Sequence, residues 1–256
     1  RHFGEGTSVS LLPDPFEQDL MARIELTGSI VPASLDHELF TAIPTRRTNR
    51  QPFVSEPIAE LVLGHARARA EQEQVWLQTL TRDEDKAALA DLIAEGDRIQ
   101  LGDRRFRREL ASWVHNNRLT SHDGMPGFAL GLSDLVAEVG PLVIRTFDMG
   151  GGRAARDRQL AVGSPALAVL WTEEDTPYAW LKAGQGLAAA LLSLEADGVQ
   201  ASYLNQAVEV PDLRARLGAI LGRAGWPQLV LRLGKGRSVR PTPRRNAEEI
   251  LLEHNP

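Results

Sequence analysis

The chain has 256 residues, of which 43% are hydrophobic and 25% charged, with a formal net charge of −5 and no cysteine. That length sustains a buried core without cross-links, and the absence of thiols removes disulfides, thiolate metal sites and cysteine nucleophiles. The acidic balance and the lack of any apolar run of membrane-spanning length argue against nucleic acid or a membrane as partner, and the composition fits a cytoplasmic protein.

The chain opens on Arg1 with no signal-peptide pattern, and is expected to continue a longer protein. "TSVSLLPD" and "ARIELTG" alternate as strands do, around the turn-rich "PDPFEQD". "SLDHELFTAI" reads as a short helix with Ser34 as its N-cap. "SEPIAELVLGHARARAEQEQ" reads as a second, with Ser55 capping and Pro57 in the first turn. "VWLQTL" is a strand, and the highly charged 81–117 is a long helix or a helical pair broken near Gly102.

Residues 118–152 are glycine-rich and turn-prone around a helical middle, a pattern that suggests a lid, with "GGG" at 150–152 as its hinge. "PALAVLWT" is a buried strand. "YAWLKAGQGLAAALLSLEADG" is an apolar helix whose small residues allow close backbone approach, and Gly198 ends it. A short helix, "PDLRARLGAILGRAG", the strand "QLVLRLG" and a closing helix, "NAEEILLEH", follow. "DLMAR" faintly echoes "DLRAR", as a duplicated chain would.

Two stretches concentrate positive charge. "PTRRTNRQPF" places Arg46, Arg47 and Arg50 within five residues, bounded by Pro44 and Pro52. "GKGRSVRPTPRRN" carries Lys235, Arg237, Arg240, Arg244 and Arg245. Neither stretch contains an acid. Solvated loops are the plain reading of each. Two such loops in an acidic chain point instead to a convergent anion site, with Thr48 as an additional hydroxyl donor. The six histidines show no ligand spacing, and neither a nucleophile elbow nor a phosphate-binding glycine loop is present. Any chemistry would then fall to a bound cofactor.

These motifs resemble a known family. "RRTNRQPF" is similar to the arginine signature that opens nitroreductase-type flavoproteins. "WLKAGQGLAAALLSLEADGVQASYLNQAVEVPDLRARLG" resembles their penultimate helix, flavin loop and following helix. "PQLVLRLGKG…TPRRNAEEIL" resembles their closing strand and phosphate-binding segment. The wording is most similar to Acg-type nitroreductase-like proteins.

The resemblance implies an α+β fold, a mixed and mostly antiparallel sheet between helical layers. It implies FMN as cofactor, with Arg46, Arg47, Thr48 and Arg50 on the phosphate and ribityl chain. Tyr203, Leu204, Asn205 and Gln206 would lie near the ring, and Arg244 and Arg245 near the phosphate. No side chain is implied as a catalytic nucleophile, and the partners would be a small-molecule electron donor and acceptor. Acg-type chains hold two nitroreductase-like halves, so residues 1–34 would be the tail of a first half and 35–256 the second. The chain would be pseudo-dimeric in full-length relatives and could pair as a homodimer here. Thr242 stands where many relatives carry lysine, which would weaken the phosphate clamp. NAD(P)H-dependent electron transfer, FMN sequestration under a lid and a cofactor-free scaffold are the three resulting readings.

Overall fold

A computed structural model of the chain describes residues 1–17, 19–117, 122–130 and 133–251. The elements run β1 (Glu5–Leu11), β2 (Ala22–Ser29), α1 (Ser34–Thr45), α2 (Glu60–Gln72), β3 (Trp76–Leu80), α3 (Asp83–Gly102), α4 (Arg104–Trp113), β4 (Val114–His115) and β5 (Met125–Pro126). They continue with α5 (Asp134–Thr146), α6 (Gly150–Val162), β6 (Ala166–Thr172), α7 (Pro177–Ala196), β7 (Gln200–Tyr203), α8 (Gln206–Glu209), α9 (Pro211–Leu221) and β8 (Trp226–Gly234).

The main sheet has the order β3-β6-β8-β7, and every neighbouring pair is antiparallel. Its central strand, β6, is buried at every position. Successive side chains of a strand face opposite ways, so a strand apolar from Ala166 to Trp171 feeds two cores. Ala166, Ala168 and Leu170 pack on one face with Leu63, Ala66 and Ala70 of α2 and Ala190, Leu191 and Leu194 of α7. Leu167, Val169 and Trp171 pack on the other with Leu89, Ile93, Ala161, Leu213 and Leu217 from α3, α6 and α9. The result is the expected α+β arrangement of a sheet between helical layers. β1 and β2 form a separate antiparallel hairpin.

The small-residue helix does what its composition suggests. A Cβ at Gly186 would come within 2.1 Å of Val75 Cγ2, so α7 approaches the turn before β3 too closely for a side chain. Thr176 caps α7, its hydroxyl accepting from the Ala179 N–H at 3.3 Å, and Pro177 occupies the first turn, where a missing N–H costs nothing.

Several local expectations are corrected. Ala33, not Ser34, is the N-cap of α1; Asp36 reaches back to accept from the Ala33 N–H at 2.9 Å. α2 begins at Glu60 after Ala59, so Ser55 and Pro57 lie in the preceding connector. Gly150, Gly151 and Gly152 are not a hinge but the first turn of α6, where Asp148 accepts from the Gly150 N–H at 2.8 Å. Within the stretch expected to be a lid, of which 118–121 and 131–132 lie outside the described residues, Asp134–Thr146 forms α5, with Pro141 inside it. The closing segment forms only a short 3-10 turn at Ala247–Glu249 before the described residues end. The break between α3 and α4 falls where expected: Asp103 caps α4, and buried Arg107 donates to the carbonyls of Leu101 and Gly102.

Gly186→Ala is expected to lower stability by roughly 1–3 kcal/mol through overpacking against Val75. Urea unfolding of the two proteins measures this, and an unchanged midpoint would refute the close contact.

Candidate functional site

The two basic stretches meet. Helix α1 ends at Thr45, after Pro44, and residues 46–53 then run along the free edge of β7. Thr48 forms a parallel bridge with Ala201, and the Asn49 N–H donates to the Ala201 carbonyl at 3.0 Å. Asn49 is fully buried. Its Nδ2 donates to Gln200 Oε1 at 2.7 Å and to the Arg237 carbonyl at 3.0 Å, while its Oδ1 accepts from the Gln51 N–H at 2.9 Å. From below, Arg232 of β8 donates through Nη2 to the carbonyls of Asn49 and Gln51, each at 2.9 Å.

A third tie joins the loop to the C-terminal segment. The Val54 N–H donates to the Lys235 carbonyl at 2.8 Å. Phe53 packs so tightly on Gly234 that a Cβ there would lie 2.7 Å from its ring.

This arrangement opens a cavity of about 400 Å³. Arg46, Arg47, Thr48, Arg50 and Gln51 line one side, and Ser238, Val239, Arg240, Thr242 and Arg244 line the other. Gly124, Met125, Phe128 and Ala129 complete the wall. Five arginines therefore face one space, with no carboxylate among the lining residues.

The 122–130 segment is fitted to this wall. Met125 Sδ lies 3.6 Å from Arg50 Nη2, and the Arg240 guanidinium sits over the Phe128 ring at 4.5 Å. Gly124 has φ +69°, and a Cβ on it would come within 2.3 Å of His115 Nε2, so the turn admits only glycine.

Arg50 also borders a second, much smaller cavity of about 30 Å³, lined in addition by Arg153, Arg156, Asp157, Ser202, Tyr203, Leu204 and Arg232, among others. Burial, then the charge of Arg153, lowers the pKa of Arg50, with Tyr203 opposing. Burial raises that of Tyr203 against the pull of Arg46 and Arg50.

Of the residues expected to bind, Arg46, Arg47, Thr48, Arg50 and Arg244 line the large cavity, and Tyr203 and Leu204 the small one. Arg245 is exposed and outside both. Asn205 and Gln206 line neither cavity and are held by other contacts. Asn205 Oδ1 accepts from the Val230 N–H at 3.0 Å, and Gln206 Nε2 donates to Asp97 at 3.0 Å and Asp157 at 3.1 Å. Sequence reasoning passed over Asn49, Arg232, Arg153, Arg156, Met125 and Phe128. A signal existed for Arg232, a cation in the otherwise apolar "LVLRLG", and for Asn49, an amide in the middle of the arginine signature.

No protein-family model matches the chain. Two Mycobacterium tuberculosis proteins provisionally named NAD(P)H nitroreductases do. Rv3131 is 29% identical over 254 residues, covering 97% of this chain and 71% of that protein. The acg protein is 25% identical over 259 residues, covering 96% and 74%. Among solved structures, iodotyrosine deiodinase bound to FMN and 3-iodo-L-tyrosine superposes with a TM-score of 0.55 at 13% identity, covering 85% of this chain and 99% of that one. A Sphigopyxis FMN- and NADPH-dependent nitroreductase, NfnB, gives 0.54 at 20% identity, covering 85% and 99%.

The architecture is thus that of the nitroreductase fold. In sequence the chain is similar to these mycobacterial proteins, and in fold to nitroreductase structures.

The buried carboxyl of Asp97 makes stability depend on pH, against the opposing pull of its Gln206 hydrogen bond. Burial, reinforced by the neighbouring Asp157 charge, pushes the Asp97 pKa from an ordinary 3.8 up to about 6. The folded protein therefore binds a proton more tightly than the unfolded chain does. Between pH 4 and 6 stability should fall by about 2–3 kcal/mol from this group as it ionises. Urea unfolding across that window should show a smaller fall in Asp97→Asn, and identical slopes would contradict the assignment.

Proposed function

We propose that this chain binds FMN in the large cavity and acts as an NAD(P)H-dependent oxidoreductase toward a nitro or quinone acceptor. The observation that carries the reading is the convergence of Arg46, Arg47, Arg50, Arg240 and Arg244 on one space without a lining carboxylate. A dianionic phosphate is a ligand that such a space suits, since guanidinium forks match phosphate oxygens and unpaired like charges otherwise repel. The cavity also falls within the ordinary size range for cofactor sites.

In this reading Arg46, Arg47 and Arg244 hold the phosphate, with the Thr48 hydroxyl beside them. Thr242 is too short to reach as a lysine would, and Arg240 supplies the missing cation from two residues earlier. Arg50 borders both cavities. FMN held by these residues would supply the redox chemistry between a nicotinamide donor and the acceptor. The protein contributes orientation, exclusion of water and positive charge.

The wall formed by Met125 and Phe128 supports a second reading, in which the 118–152 region acts as a lid and the flavin is held without turnover. Steady-state NAD(P)H oxidation separates the two: acceptor-dependent turnover supports the enzyme, and bound but unreactive flavin supports sequestration.

The direct test is the absorbance spectrum of the purified chain after incubation with FMN and desalting. Wild type should retain flavin. Because a hydrogen bond to a charged group is worth about 1.5–3 kcal/mol, Arg46→Ala/Arg50→Ala should weaken binding by roughly a hundredfold or more and emerge colourless. Equal retention by both proteins would overturn the assignment of the cavity.

A further inference from the structure

Arg232 is the least expected residue in the fold. It lies in β8, one of the two interior strands of the main sheet, and is 1% exposed. Nη2 is used on the carbonyls of Asn49 and Gln51. Nε and Nη1 are buried and have no hydrogen-bond partner among the described residues. One face of the guanidinium rests on the Phe53 ring, 4.3 Å from its centroid, which supplies attraction but no acceptor. Buried donors without acceptors are costly, and a buried cation more so. Burial accordingly pushes the Arg232 pKa down to about 10.

The small cavity beside Arg232 is cationic in excess. Arg50, Arg153, Arg156 and Arg232 line it, against the single carboxylate of Asp157. That carboxylate is committed elsewhere, accepting from Arg153 Nε at 2.7 Å and from Gln206 Nε2 at 3.1 Å. Among the described residues, none of Arg50, Arg156 and Arg232 has a carboxylate within ion-pair distance. The hydroxyl-bearing Ser202 and Tyr203 also border the space.

We infer that this cavity is a second anion subsite, which receives a planar carboxylate borne by a small organic ligand. The chemistry distinguishes it from the large cavity. Its volume, about 30 Å³ against about 400 Å³, leaves room for only the end of a small ligand, entering from the Arg50 side. A flat two-oxygen anion fits the arginine fork and supplies acceptors for Nε and Nη1. The site does not require FMN, and Arg156, exposed on α6, touches the small cavity without lining the large one.

The test measures thermal stabilisation of the purified chain at constant ionic strength by acetate, benzoate and inorganic phosphate. It uses wild type, Arg156→Gln, Arg232→Met and Arg46→Ala/Arg244→Ala. Saturable stabilisation by acetate or benzoate is expected in wild type and in Arg46→Ala/Arg244→Ala. In Arg156→Gln and Arg232→Met the apparent Kd should rise about tenfold or more, as loss of one charge-assisted contact implies. Arg156→Gln keeps the test decisive if Arg232→Met fails to fold. Carboxylates that leave wild type unstabilised, or whose effect survives Arg156→Gln and disappears in Arg46→Ala/Arg244→Ala, would overturn the subsite. Phosphate stabilisation lost only in Arg46→Ala/Arg244→Ala would report on the large cavity alone, so the cofactor reading and the subsite can fail separately.

Discussion

The cationic face of this protein depends on one buried attachment, the clasp that Asn49 and Arg232 make between residues 46–53 and the sheet. Asn49 uses both ends of its amide, holding Gln200, Arg237 and Gln51. Arg232 takes the two carbonyls that the loop would otherwise leave facing the interior. A proline-bounded connector has no helix or strand of its own to fix it. These contacts supply what the local sequence cannot, so that Arg46, Arg47 and Arg50 present their charges in one direction.

That presentation works against the charges themselves. Five guanidinium groups around one cavity repel, and water screens them only where it reaches them. Rigid backbone is therefore a condition of the arrangement. The packing of Phe53 on Gly234, the Val54 bond to Lys235 and the stacking of Phe128 under Arg240 all draw the cationic segments together. Elsewhere the chain pairs its charges in the usual way, as where Asp175 accepts from Arg214, Trp180 and Gln228 and is held well below the usual carboxylate range. The acid-free cavity stands apart from those paired regions.

The layered fold was legible because its signals are strong and redundant. An eight-residue apolar run such as "PALAVLWT" has few alternatives to a strand buried on both faces, and a helix with so many small residues must lie close to something. The convergence of the two basic stretches was also foreseeable, since both lacked acids. Cap positions were not, because Asp36 and Ala59 compete with nearby Ser34 and Ser55 on terms set by the approach of the preceding chain. Nor was the glycine triplet, whose first turn is stabilised by Asp148 and by packing on α3. The commitment of Gln206 to two aspartates could not be read at all. Asp97 lies 109 residues away in the chain, and only the crossing of α3, α6 and α8 brings the three together.

The bridge between Thr48 and Ala201 has a further effect, unrelated to charge. β7 is an outer strand of the main sheet, and an outer strand presents open backbone donors and acceptors to any extended chain that meets it. The arginine-bearing connector occupies that rim, ending the ladder with a segment whose prolines and cations make it a poor template for another strand. The same stretch that gathers the arginines thus also closes that edge of the sheet.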